Sequence, residues 1–202
     1  MRAAVATALV AIVGVAVVAI VRSDSDDEES TPEQPPPAET ADPLPSLPSG
    51  WGKAASAGGG FALGVPPGWS EKSAGESVTL KSPGSTVVIR VTADRSAEAL
   101  DSSLDEYAAS LLEELGASES PASADSLEPV SGYELASVAG RQPAAEGAPD
   151  GTKGDLLEVV VVRRPELASF PVLIASDAGV KAAELEPIVA RVVASLRGRP
   201  VS

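Results

Sequence analysis

The chain of 202 residues contains no cysteine, no histidine and no asparagine, and aromatic residues make up 3% of it. Without cysteine there is no disulfide, no thiolate metal site and no lipid-attached cysteine at a processing site. Without histidine there is no imidazole base or ligand, which removes Ser-His-Asp hydrolases and zinc hydrolases together. Without asparagine there is no N-glycosylation acceptor. So few aromatics leave no stacking platform for single strands. Basic residues are also scarce: 15 bases stand against 29 acids, a net charge of −14. Nucleic-acid binding normally starts from a basic patch, so no nucleic-acid partner is expected. The acid excess reads first as a solubility device.

What the chain does have begins with residues 3–21, AAVATALVAIVGVAVVAIV, nineteen positions without a charge. As a helix they span about 28 Å, close to a hydrocarbon core of roughly 30 Å. Valine and isoleucine form helix poorly in water, but in lipid every backbone group must bond internally. Residues 1–22 therefore read as a transmembrane anchor. The leading amine and Arg2 favour an N-terminus on the cytoplasmic side, with the remainder extracytoplasmic at the cell membrane. A cleaved signal peptide is the competing reading, against which the run is long and its small-residue pairs are followed by more apolar residues. A buried soluble helix is a third reading.

After the run stands Arg22 alone, which narrows the charge difference across it, then Asp24, Asp26, Asp27, Glu28 and Glu29, and prolines at 32, 35, 36, 37, 43, 45 and 48. Residues 23–50 hold too little apolar surface to offset their ordering entropy, and proline stiffens them. They read as an acidic, disordered spacer holding a domain off a membrane whose headgroups repel it. The proline run lacks the basic neighbour of an SH3-type ligand, and DSDDEE lacks the glycine and spacing of a calcium loop.

From Trp51 to Ser202 one domain is expected. Phe61, Leu63 and Val65 alternate. Val78 and Leu80, then Val87, Ile89 and Val91, predict a hairpin around SPGS at 82–85. Ser96 can cap a helix carrying Leu100, Leu104, Tyr107, Ala108, Leu111 and Leu115 at helical spacing, with Gly116 closing it. A loop over 117–131 follows, then a strand at Tyr133–Ser137 and another at Gln142–Glu146. LLEVVVVRR at 156–164 predicts a central strand, with Phe170–Ala175 as its partner. A final helix holds Leu185, Ile188, Val189, Val192, Val193 and Leu196. Pro187 places its firm start near 186, and Gly198 ends it. The fold class expected is α+β, a mostly antiparallel sheet of about six strands with two packed helices.

Three stretches carry a resemblance: FALGVPPGW at 61–69, VAGRQPA at 138–144 and LEPIVARVVASLR at 185–197. In this order they resemble the PsbP-like fold, found in the extrinsic photosystem II subunit, a small Ran-binding import factor and actinobacterial envelope lipoproteins of the Lpq type. The resemblance implies a non-enzymatic α/β domain used for binding or assembly and carries over no catalytic residue. Here a transmembrane helix would replace the lipid.

Candidate sites are few. Asp101, Asp105, Glu106, Glu113 and Glu114 line the face of the first helix opposite its apolar stripe, and could meet a basic partner or simply be solvated. Arg141, Arg163 and Arg164 could gather at one sheet end as a small anion site. Trp69 could line a pocket, but after Pro-x-Gly it reads better as capping the core edge. GGG at 58–60 leads into a strand and lacks the GK[ST] of a phosphate loop. No catalytic residue, cofactor or metal is expected. The function expected is a membrane-anchored extracytoplasmic binding or accessory module of the cell envelope, with an unidentified envelope protein or ligand as partner. The alternative is a secreted or anchored hydrolase using carboxylates.

Overall fold

The computed structural model describes residues 44–120, 127, 130–143 and 154–199. The anchor at 1–22, the stalk up to 43 and the turn before the 156–164 strand lie outside the described residues, as does most of the strand expected at 142–146. Among the described residues no helix is long and apolar enough to cross a membrane.

The first strands are β1 (Gly52–Ala55), β2 (Phe61–Val65), β3 (Ser70–Ala74), β4 (Ser77–Lys81) and β5 (Val87–Thr92). Helices α1 (Ala97–Asp101) and α2 (Leu104–Glu114) follow, then β6 (Ser118–Ser120), β7 (Glu134–Arg141), β8 (Leu156–Arg164) and β9 (Ala168–Ser176). The chain closes with α3 (Ala182–Ser195) and β10 (Arg197–Gly198). A seven-stranded sheet runs β3-β4-β5-β9-β8-β7-β6, and a three-stranded sheet runs β1-β2-β10. Neighbouring strands pair antiparallel throughout.

The α+β class with antiparallel sheets therefore stands. The main sheet is near the expected size of about six strands; the departures are a second, three-stranded sheet and a third helix among the described residues. The hairpin pairs Val78 with Val91 and Leu80 with Ile89, in the register that the alternation demands.

Strand β8 explains how the layers assemble. Leu157, Val159 and Val161 point one way, into a core with Ala99, Tyr107, Ala108 and Leu112 of the first two helices. Val160 and Val162 point the other way, into a core with Phe170, Val172, Ile174 and the α3 residues Leu185, Val189, Val192, Val193 and Leu196. A strand buried on both faces must be apolar at successive positions, which is why LLEVVVVRR reads as it does. Each buried valine contributes about 1.5–3 kcal/mol. Phe61 of β2 meets Phe170 edge-to-face at 5.8 Å and 66°.

Helix α3 begins at Ala182, earlier than expected, with Pro187 inside it. Glu186 and Pro187 face solvent, so the carbonyl left without an amide partner lies on the outer side. Gly198 does not end that helix. It lies in β10 opposite Phe61, where its amide donates to the Tyr133 hydroxyl (2.8 Å), and a Cβ there would sit 2.8 Å from Phe170 Cζ.

Residues 44–48 belong to the folded unit, although the linker was expected to run to 50. Leu44, Pro45, Leu47 and Pro48 are half-buried. The Trp51 amide donates to the Pro48 carbonyl (3.1 Å), turning the chain into β1. Leu47 and Trp51 close over Gly64 of β2, where a Cβ would meet Leu47 Cδ2 at 2.8 Å and Trp51 Cε3 at 3.1 Å. The Gly64 amide donates to Ser195 Oγ of α3 (2.7 Å), which donates on to the Val192 carbonyl (2.7 Å).

Candidate functional site: the acidic face of the helix pair

The helix expected over 96–116 is two helices. Ser96 starts α1, its hydroxyl accepting from the Ala99 amide (3.1 Å). Ser102 and Ser103 are extended and break the run. Ser103 then opens α2: its hydroxyl accepts from the Glu106 amide (3.3 Å) and donates to Glu106 Oε2 (2.7 Å). Serine followed three residues later by glutamate has the spacing of a capping box, here with the glutamate accepting from the serine hydroxyl, and it restarts the helix where the chain turns. At the far end Gly116, with φ of +70°, lets its amide reach the Glu113 carbonyl (2.8 Å) and the Ala117 amide reach that of Leu112 (3.3 Å). This is the Schellman closure that Gly116 predicts.

At about 100° per residue, Leu104, Tyr107, Ala108, Leu111, Leu112 and Leu115 share the sheet-facing side of α2. The carboxylates take the other side. Asp101, Asp105, Glu106, Glu113 and Glu114 are all exposed, and Glu106 and Glu113, seven residues apart, fall on one line. None of the five has an ion-pair partner among the described residues. Asp105 and Glu106 lie in the first turn, where the helix dipole favours them, whereas Glu113 and Glu114 lie in the last turn, where it opposes them. Beside Glu113 is a shallow depression of about 240 Å³ lined also by Ala109, Leu112 and Ala117.

One buried and one half-buried polar group hold this face in place. Arg163 of β8 is 8% exposed and reaches under α1. Its Nη2 donates to the Ala99 carbonyl (2.8 Å), its Nη1 to the Ser102 carbonyl (2.9 Å) and its Nε to Ser169 Oγ (3.1 Å). The Ser169 hydroxyl donates to the same Ala99 carbonyl. A guanidinium at the carbonyl end of a helix satisfies acceptors that the helix cannot.

The second group is Asp94, before α1. It accepts the Tyr107 hydroxyl (2.5 Å) on one oxygen and the Ser96 amide (2.8 Å) on the other. Burial pushes the Asp94 carboxyl up, but these hydrogen bonds outweigh it and hold the group below its ordinary value. Burial and the bond to Asp94 push the Tyr107 phenol up, with smaller effects from the charges of Glu98 and Glu114.

The arginine cluster does not form. Arg141 pairs with Leu156 at one end of β8, while Arg163 pairs with Glu134 at the other. Arg141 donates to the Gly154 carbonyl (3.1 Å), and Arg163 is spent on α1. Trp69 is half-buried and packs against the α3-side core, as its place after Pro-x-Gly suggests. Gly58 and Gly60 serve packing against Glu76, while Gly59 turns the chain with φ of +77°: a Cβ at Gly60 would sit 2.6 Å from Glu76 Oε2 and 2.7 Å from Arg95 Nη2, and Glu76 and Arg95 pair at 3.5 Å. Sequence reasoning missed Asp94 and the Ser103 cap, and it singled out Arg163 for an anion site rather than for holding α1. Only the cap had a local signal, the S-x-x-E spacing.

No protein-family model matches the chain, and no curated protein matches it. Solved structures give remote likenesses. A crystal structure from Bacteroides thetaiotaomicron VPI-5482 has a TM-score of 0.45 at 20% identity, over 73% of this chain and 48% of that one, so this chain spans about half its length. The Ran-binding protein Mog1p of Saccharomyces cerevisiae has a TM-score of 0.49 at 13% identity, over 74% of this chain and 96% of that one. A point mutant of Mog1 gives the same values.

Proposed function

We propose that this chain is a single-pass membrane protein whose PsbP-like extracytoplasmic domain is a binding or accessory module of the cell envelope, and that the outer face of α1 and α2 is the surface it offers to a basic partner. The observation that carries this reading is the set of five exposed carboxylates without ion-pair partners among the described residues, on a helix pair fastened from below. Glu113 and Glu114 weigh most, because acids in a last helical turn lower helix stability. Rim charges of this kind steer and select a partner more than they add affinity. The placement rests on the apolar run at residues 3–21.

Photo-crosslinking of the full-length chain in its own membrane tests the surface. A crosslinker at position 105 is expected to capture a partner that one at position 166, in the β8–β9 turn, does not. Capture should fall at about 0.5 M salt, where charges are screened beyond roughly 4 Å, and in the E106K/E113K variant. Equal capture from both positions, or capture indifferent to the charge reversal, refutes the assignment. A reporter fused after Ser202 should be active only outside the cytosol; cytosolic activity overturns the topology.

A further inference from the structure

The face of the sheet beneath α3 holds a carboxylate where its neighbours are aliphatic. Along β8 the row that faces α3 reads Glu158, Val160, Val162, and both valines are fully buried. Glu158 sits between Ala139 of β7 and Ile174 of β9. Ser137 stands diagonally beside it on β7, and Ser176 diagonally beside it on β9. Both serine hydroxyls are shielded from solvent: Ser137 lies against the Glu158 carboxylate, and Ser176, 3% exposed, has no hydrogen-bond partner. From α3 the charge facing Glu158 is another acid, Glu186. Among the described residues no lysine or arginine pairs with Glu158.

We propose that Glu158 makes the seating of α3 on the sheet proton-responsive, so that α3 is held loosely at neutral pH and fastened when this one carboxyl takes up a proton. Ionised, Glu158 is a half-buried anion opposite a second anion, with a neighbouring hydroxyl as its best support. Neutral, it gains a hydroxyl that can donate to a serine beside it and no longer repels Glu186. Burial raises its pKa first, Glu186 adds to the rise, and Ser137 opposes it. A carboxyl raised in the folded state binds its proton more tightly there than in the unfolded chain. Stability is therefore depressed at neutral pH and recovers as pH falls through the raised value toward the ordinary 4.5. From β8 of the seven-stranded sheet the effect reaches the three-stranded sheet, because α3 carries Ser195, which holds Gly64 of β2, and leads directly into β10.

The test uses the full-length chain in detergent. Melting temperature and hydrogen exchange of the α3 amides are followed from about pH 8 to pH 5, spanning the gap between neutrality and an ordinary carboxyl. In the natural chain, α3 protection and melting temperature should rise together by a few degrees as pH falls. E158Q, a neutral isostere, should already be protected at pH 8 and show a flatter profile. E186Q should keep the rise but move it to lower pH. A profile in E158Q as steep as the natural one overturns the proposal, as does an α3 whose exchange ignores pH. Protection of α3 by millimolar calcium at neutral pH, lost in E158Q and without any pH response, would assign the site to a divalent cation and overturn it too.

Discussion

Arg163 shows what one side chain does here. Its three donors end on the Ala99 and Ser102 carbonyls and the Ser169 hydroxyl, so its removal strands acceptors in an apolar layer. Arg163→Met should destabilise the domain by about 2–4 kcal/mol in urea unfolding, and Arg163→Lys should recover only part, since one ammonium cannot span three separated oxygens. Asp94 gives a pH signature of the opposite kind to Glu158. Its folded pKa lies below the ordinary 3.8, so its stabilisation is complete above that value and disappears as pH falls through the lowered one. Asp94→Asn should lower stability at neutral pH and shrink its acid-induced loss, measured as the unfolding midpoint against pH. Asp94 did not stand out in the chain, and Arg163 stood out only as one of three arginines of a possible anion site. An arginine closing a valine-rich strand looks like a strand end, and its burial depends on a helix some sixty residues earlier, 61 positions from Ser102. The exposed acids were legible, because helical spacing alone separates Asp105, Glu106, Glu113 and Glu114 from the leucine stripe.

At the level of elements, the acids at the end of α2 set stability against binding. Glu113 and Glu114 face the partial negative charge of the helix terminus, and no basic residue answers them in that turn. E113K/E114K should raise thermal stability slightly, by a few tenths of a kcal/mol at low salt, while reducing partner capture. A loss of both together would mean that these acids stabilise α2, contrary to the dipole argument. The elements legible in the chain were those with a strong period: the β4–β5 hairpin, β8 with β9, and the amphipathic stripe of α2. Four strands carried no such signal. In β3, SEKSA is exposed at every residue, as suits a charged sheet edge. Strands β1 and β10 have four and two residues and exist because β2 lies between them. The β6 strand, inside the expected 117–131 loop, pairs with β7 only because Gly140 has no Cβ. One there would lie 2.5 Å from the Ser118 carbonyl oxygen.

For the whole molecule, the folded unit starts before the tryptophan that opens the alternating pattern. A chain beginning at Trp51 should lose about 1–2 kcal/mol relative to one beginning at Leu44, because Leu47 no longer covers Gly64 and Trp51. Equal midpoints for the two would show that residues 44–48 rest on the surface without stabilising it. The same three stretches that suggest a PsbP-like fold contain Gly64, Gly140 and Leu196, each at a close approach or in the core of this domain.

Hydrophobic period, capping residues and the acid excess are local properties, and they alone give the α+β class, the paired strands, the solvent face of α2 and the exclusion of cysteine and histidine chemistry. Packing added the rest: two sheets where one was expected, the docking of Leu47 on Gly64, the buried reach of Arg163, and a glutamate set opposite another across β8 and α3. Those depend on which residues far apart in the chain come within a few ångströms of one another, and no period or cap records that distance.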